Sequence, residues 1–110
     1  MAILKNITQT NQTNYLKYDI IFIDGLHLYE QSVLDIKNAL NHLTEEGTII
    51  MHDCNPPTYD HQIEEYIIGK PWNGTVWKSF VEYRCTDPNL TMSVINTDWG
   101  IGIIQKGKQD

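Results

Sequence analysis

Tyr18-Asp19-Ile20-Ile21-Phe22-Ile23-Asp24-Gly25-Leu26-His27-Leu28-Tyr29-Glu30 opens the stretch that decides the fold, and Gly47-Thr48-Ile49-Ile50-Met51-His52-Asp53 closes it. Ile20 to Ile23 is a continuous apolar run without alternation, the pattern of a strand buried on both faces of a parallel sheet. Asp24-Gly25 ends it, since glycine permits the sharp turn that follows. Leu28 to Leu43 then places Val33, Ile36, Leu40 and Leu43 at steps of three and four, with Leu34 and Ala39 beside them. That is the helical period, and Glu30 sits near the start, where the helix dipole favours an anion. Glu45-Glu46-Gly47 is expected to stop the helix, and Thr48 to Met51 to form a second buried strand. A strand, a helix and a strand in this order make a right-handed crossover between parallel strands. Its acidic and imidazole side chains fall at the carboxyl ends of the strands, where open α/β sheets bind ligands.

Outward from this unit the punctuation is strong. Asn55-Pro56-Pro57-Thr58 forbids regular structure, a short helix is expected over residues 60–68, and Lys70-Pro71-Trp72-Asn73-Gly74 breaks the chain again. Thr75 to Tyr83 carries Val76, Trp77, Phe80 and Val81 at helical spacing, with Thr75 or Asn73 as the cap. Leu90, Met92 and Val94 alternate along one side of a strand over residues 90–95. The turn Asn96-Thr97-Asp98-Trp99-Gly100 returns it into Ile101 to Ile104 as an antiparallel hairpin. On the amino side, residues 1–17 form a polar leader rich in Asn, Thr and Gln, read as loop or disorder, with Ala2 to Leu4 a candidate strand remnant. Residues 18–106 are the α/β domain and 107–110 a polar tail.

Composition narrows the function classes. The 110 residues suit one domain. A net charge of −6, with eight scattered Lys and Arg, argues against a nucleic-acid footprint. No apolar run approaches the roughly 18 residues of a membrane span, and Met1 is not followed by a basic and then an apolar segment of a signal peptide. The two cysteines, Cys54 and Cys85, are expected reduced, in a cytoplasmic protein. The sequons at Asn6, Asn11, Asn73 and Asn89 therefore mean little.

The pattern Tyr18-Asp19, Ile23-Asp24-Gly25-x-His27-x-Tyr29-Glu30, Asp35, then Leu43-x-x-x-Gly47-Thr48-Ile49-Ile50-x-His52-Asp53 resembles the carboxyl half of class I S-adenosylmethionine-dependent methyltransferases. It is most similar to the methyltransferase domain 24 group, which includes small-molecule and sugar O-methyltransferases. Gly74-x-Val76-Trp77-Lys78 and Asp98-Trp99-Gly100-Ile101-Gly102 extend the likeness, which covers Tyr18 to about Gln105. It implies a partial Rossmann-like sheet, equivalent to the fourth, fifth, seventh and sixth strands of seven. It also implies a small hydroxylated molecule or sugar as methyl acceptor. The family's Gly-rich cofactor turn has no counterpart before Gly25, so the chain is expected to be a fragment and inactive by itself.

In the resembled family the Asp24 position faces the methyl donor, which implies Asp24, Gly25 and His27 at the cofactor and Asp24 with His27 as catalytic residues. Strand ends about 5 Å apart, or about 10 Å with one strand between them, can bring Asp24, His52 and Asp53 together. Those three are a candidate set for Mg²⁺ or Mn²⁺, and the imidazole also admits Zn²⁺. The competing reading is that both aspartates cap turns and helix starts. His27, with an ordinary pKa near 6.5, is a candidate base for the acceptor hydroxyl, or a first-turn residue bonded to Asp24 or Asp53. Tyr29 is a candidate for the acceptor pocket or for packing on the sheet. Trp72, Trp77 and Trp99 are candidates for an acceptor wall, with core packing favoured for Trp77. Cys54 has no base and orienter to make it a nucleophile. The alternative to an enzyme is a non-catalytic remnant that forms a homodimer through an unpaired edge at the Ile20 strand.

Overall fold

The computed structural model describes residues 2–5, 16–66, 68 and 72–108. The decisive stretch folds as expected: strand β2 (Tyr18–Ile23), helix α1 (Tyr29–Asn41) and strand β3 (Leu43–Met51), with β2 and β3 parallel. A single 3-10 turn at Tyr59–Gln62 stands where a short helix was expected; Ile67 of that expectation lies outside the described residues. Helix α2 (Val76–Thr86) then leads into the antiparallel hairpin of β4 (Leu90–Ile95) and β5 (Ile101–Lys106). With β1 (Ala2–Lys5), the five strands lie in the order β1-β2-β3-β5-β4.

Two boundaries differ from the pattern reading. Gly47 does not stop α1; it lies inside β3, where an added Cβ would fall 2.5 Å from Leu43 Cδ1. The strand starts at Leu43 because that side chain is core, 1% exposed. His42 alone joins helix to strand, its N–H donating to the Ala39 carbonyl at 3.0 Å. The extra length is absorbed by a register shift, in which Tyr18 faces Leu43 but Ile20 already faces Thr48.

The second difference concerns the edge of β2. Residues 2–5 run antiparallel along it, with Ile3 opposite Phe22 and Lys5 opposite Ile20. The open edge that would favour a homodimer is therefore covered by the chain itself. A strand of four residues is enough, because each ladder position needs only backbone donors and acceptors, whatever the polarity of the residues that follow.

One face of the sheet carries the core. Ile21, Ile49, Met51 and Ile104 are each 0% exposed and meet Ile36 of α1 and Phe80 of α2. The helices also meet each other, the Tyr83 hydroxyl lying 3.5 Å from the Val33 carbonyl. On the opposite face Ile20, Phe22, Ile50 and Ile103 are only partly buried. Among the described residues no helix covers that side, so the unbroken apolar run of β2 does not mark a strand buried on both faces. The two faces should respond differently to truncation. Ile49→Ala should cost about 2–5 kcal/mol in urea denaturation, and Ile50→Ala should cost clearly less. Equal losses would mean a second layer covers the far face.

Candidate functional site

The parallel pairing of β2 and β3 runs one residue past the strands: the His52 N–H donates to the Ile23 carbonyl at 3.1 Å. That bond sets Asp24 and His52 side by side at the carboxyl end of the sheet. Asp53 follows with φ 65°, a left-handed conformation uncommon outside glycine, and its carboxylate is only 2% exposed. The loop from Asp24 to Leu28 brings His27 over the same point. His27 Nε2 lies 2.9 Å from Asp53 Oδ2 and 3.8 Å from Asp24 Oδ1. His52 Nδ1 lies 3.2 Å from Asp53 Oδ2 and 3.9 Å from Asp24 Oδ1. The expected set of Asp24, His52 and Asp53 does converge, and His27 joins it.

Neighbouring loops hold this cluster. The Nδ1–H of His27 donates to the Trp72 carbonyl at 2.7 Å, and the two rings lie 5.0 Å apart. Gly74, at φ +66°, packs so closely that a Cβ would sit 1.8 Å from the His27 carbonyl oxygen. That same carbonyl accepts the Thr75 N–H at 3.0 Å, and Thr75 Oγ1 accepts the Tyr29 N–H at 2.7 Å. On the other side, the β4–β5 turn reaches across with Asp98 and Trp99, both at positive φ. Asp98 Oδ2 lies 3.2 Å from His52 Nε2. The Gly100 and Trp99 carbonyls accept the Cys54 and Asn55 N–H groups at 3.0 and 2.9 Å, and an added Cβ on Gly100 would sit 2.2 Å from the Asn55 nitrogen.

A gap of about 10 Å³ adjoins the cluster, lined by Asp24, His27, His52 and Asp53 and also by Ser32, Asp35, Met51 and Val76, with room for one water-sized occupant. Asp53 Oδ1 is buried and has no hydrogen-bond partner among the described residues. Asp24, His27 and Asp53 offer ligand atoms all within 4.8 Å of one another. The donor set and the gap fit a single cation. The capping alternative finds no support at the helix starts: the N-cap residues Leu28 and Thr75 make no side-chain cap bond, and the first N–H of α1, that of Tyr29, goes to Thr75 Oγ1 and not to an aspartate.

Other candidates sort plainly. Tyr29 bonds Glu82 and stays out of the gap. Trp72 and Trp99 flank the cluster, Trp99 meeting the His61 ring edge-on at 5.5 Å, while Trp77 lies on α2. The Asp98 and Trp72 contacts were not legible in the sequence. One comes from a turn residue and the other from a backbone carbonyl, which leaves no residue-type signal.

Residues 2–54 match the family model of a methyltransferase domain. The matched segment holds β1, β2, α1 and β3, and with them Asp24, His27, His52 and Asp53. Trp72 and Asp98 lie outside it. No curated protein matches the chain.

Two acidities at this end of the sheet are shifted, one by the cluster and one by burial. The hydrogen bond that the His27 ring donates to Asp53 raises the pKa of His27 most; burial opposes it, while the Asp53 charge, the Trp72 carbonyl and Asp24 add to it. A raised folded-state pKa contributes stability that is complete below the unfolded value near 6.5 and is lost as pH climbs through the folded value. In metal-free buffer the His27 ring should therefore titrate above 6.5 by NMR, and Asp53→Asn should lower it. A His27 midpoint unchanged by Asp53→Asn would contradict the pairing. Burial pushes the Cys54 thiol up to about 12, while Cys85 is exposed. Iodoacetamide on the native chain should thus label Cys85 and spare Cys54, with both reacting in denaturant.

Proposed function

We propose that this chain carries the strand-end corner of an S-adenosylmethionine-dependent methyltransferase, acting on a hydroxyl of a small molecule or sugar with a divalent cation at Asp24, His52 and Asp53. The observation that carries this reading is the convergence of those side chains and His27 at the carboxyl ends of β2 and β3, inside the segment that matches the methyltransferase domain. The cation, when bound, would lower the pKa of a coordinated hydroxyl. His27 is placed to take up a proton beside it in its neutral form, with Nδ1–H fixed on the Trp72 carbonyl and Nε2 facing the gap.

The residues described here do not enclose S-adenosylmethionine. Asp24, Gly25 and His27 would touch only the edge of such a ligand, and the residues that hold the rest of it are not among those described. The chain is in this reading a part of the methyltransferase unit. The edge of β2 is taken by β1, so self-association at that edge gains no support.

Two titrations test the proposal. S-adenosylmethionine should bind with a Kd weaker than about 10 µM, or about −7 kcal/mol, and at millimolar concentration should shift the amides of residues 24–27 first. Mn²⁺ should broaden Asp24, His52 and Asp53 before His42 or His61. Shifts confined to other parts of the chain, together with broadening only at His42 and His61, would overturn it.

A further inference from the structure

We infer that His27 is a ligand of the cation rather than a free base, and that Asp98 is the positioning residue that fixes His52, so the centre is a two-imidazole, two-carboxylate site for a transition-metal dication. This rests on the metal reading above, replaces the proton-accepting role given there to His27, and goes beyond it in ligand set and metal class.

The argument starts from the ring nitrogens. His27 has its Nδ1 committed to the Trp72 carbonyl at 2.7 Å, which fixes that atom as the donor. Its neutral form therefore presents a bare Nε2, the atom that faces Asp53 and Asp24. A backbone carbonyl on the far nitrogen is the usual support of a metal-bound imidazole. His52 is arranged in mirror image. Its Nδ1 faces Asp53 and Asp24, and its Nε2, shut off from solvent, faces Asp98 Oδ2 across 3.2 Å. That contact is close without being aligned as a hydrogen bond. The Asp98 side chain is 75% exposed and has room to rotate into line. A carboxylate there keeps the proton on Nε2 and leaves Nδ1 bare, the carboxylate–histidine–metal arrangement.

The inward atoms lie 2.9 to 3.9 Å apart in the His–Asp pairs. Ligands bound at about 2.0–2.1 Å to one cation are separated by roughly 3 to 4 Å; the ligand atoms of Asp24, His27 and Asp53 lie within 4.8 Å of one another, and the His52 imidazole, outside that group, would draw in to complete the shell. Asp53 supplies the second observation: its carboxylate is nearly solvent-free, and one oxygen has no partner among the described residues. Asp24, at 43% exposure, leaves the outward side of the cation open. Two imidazole nitrogens favour Zn²⁺, Co²⁺ or Fe²⁺, whereas Mg²⁺ prefers an all-oxygen shell and keeps its waters.

Calorimetric titration of the full chain with Co²⁺, Zn²⁺ and Mg²⁺ tests this, with circular dichroism confirming that each variant folds. Co²⁺ and Zn²⁺ should bind at least about 100-fold tighter than Mg²⁺. His27→Gln should weaken Co²⁺ by at least about tenfold, Asp98→Ala by about tenfold, and Asp98→Asn, whose amide oxygen still accepts from Nε2–H, by no more than about threefold. In Co²⁺-loaded wild-type protein, the ring signals of both His27 and His52 should be paramagnetically shifted, a readout that needs no variant. Full Co²⁺ affinity in His27→Gln with an unshifted His27 ring would overturn the ligand assignment while leaving the Asp24, His52 and Asp53 site standing. Equal affinity in wild type and Asp98→Ala would overturn the positioning role. A wild-type chain that binds none of the three ions would remove this inference and the metal reading together, and would leave S-adenosylmethionine binding to be judged by its own titration.

Discussion

A carboxylate with 2% of its surface in water is costly unless charge and hydrogen bonds compensate it. Asp53 meets that requirement through one oxygen, Oδ2, shared by His27 Nε2 at 2.9 Å and His52 Nδ1 at 3.2 Å. The remainder of the upper rim follows from this contact. His27 can reach Asp53 only if the loop after β2 folds back over the strand end. That loop is held there by Trp72, Gly74 and Thr75, none of which belongs to the crossover unit. The start of α2 is thus tied to the start of α1 through the same residues that tie it to the site.

Backbone conformation shows where the chain is under constraint. Asp53, Asp98 and Trp99 are the non-glycine residues at positive φ among those described, and all three lie at this rim. Each such conformation costs on the order of 1–3 kcal/mol and persists only where the surroundings over-determine it. Here the surroundings are explicit: the Trp99 and Gly100 carbonyls are bound by the Asn55 and Cys54 N–H groups, and Asn73 Nδ2 donates to the Trp99 carbonyl at 3.2 Å. The hairpin turn is thereby pinned to the end of β3, and this brings Asp98 to His52.

The sequence carried the crossover unit because its signals are local. The run from Ile20 to Ile23, the helical spacing of Ile36 and Leu40 and the Asp24-Gly25 stop each act within a few residues, and the structure bears them out. The hairpin at residues 90–95 and 101–106 was legible for the same reason. Gly47 misled because a glycine after acidic residues looks like a helix stop, whereas the burial of Leu43 is a tertiary demand that starts the strand earlier. The continuous apolar run of β2 misled because periodicity cannot tell which face a layer will cover. At the site, Asp24, His52 and Asp53 could be placed together because strand ends in a parallel pair are neighbours by construction. Asp98 and the Trp72 carbonyl could not, since nothing local ties residues 72 and 98 to residues 27 and 52.

The central claim is that Asp53 and His27 act as one unit in holding the rim before any ligand arrives. A double-mutant cycle on stability, Asp53→Asn with His27→Gln in chelator at pH 6, measures it most directly. Residues in one hydrogen-bonded pair show coupling of about 0.5–3 kcal/mol, and the double variant should lose less stability than the two single losses combined. Strict additivity of the two single losses would contradict the account.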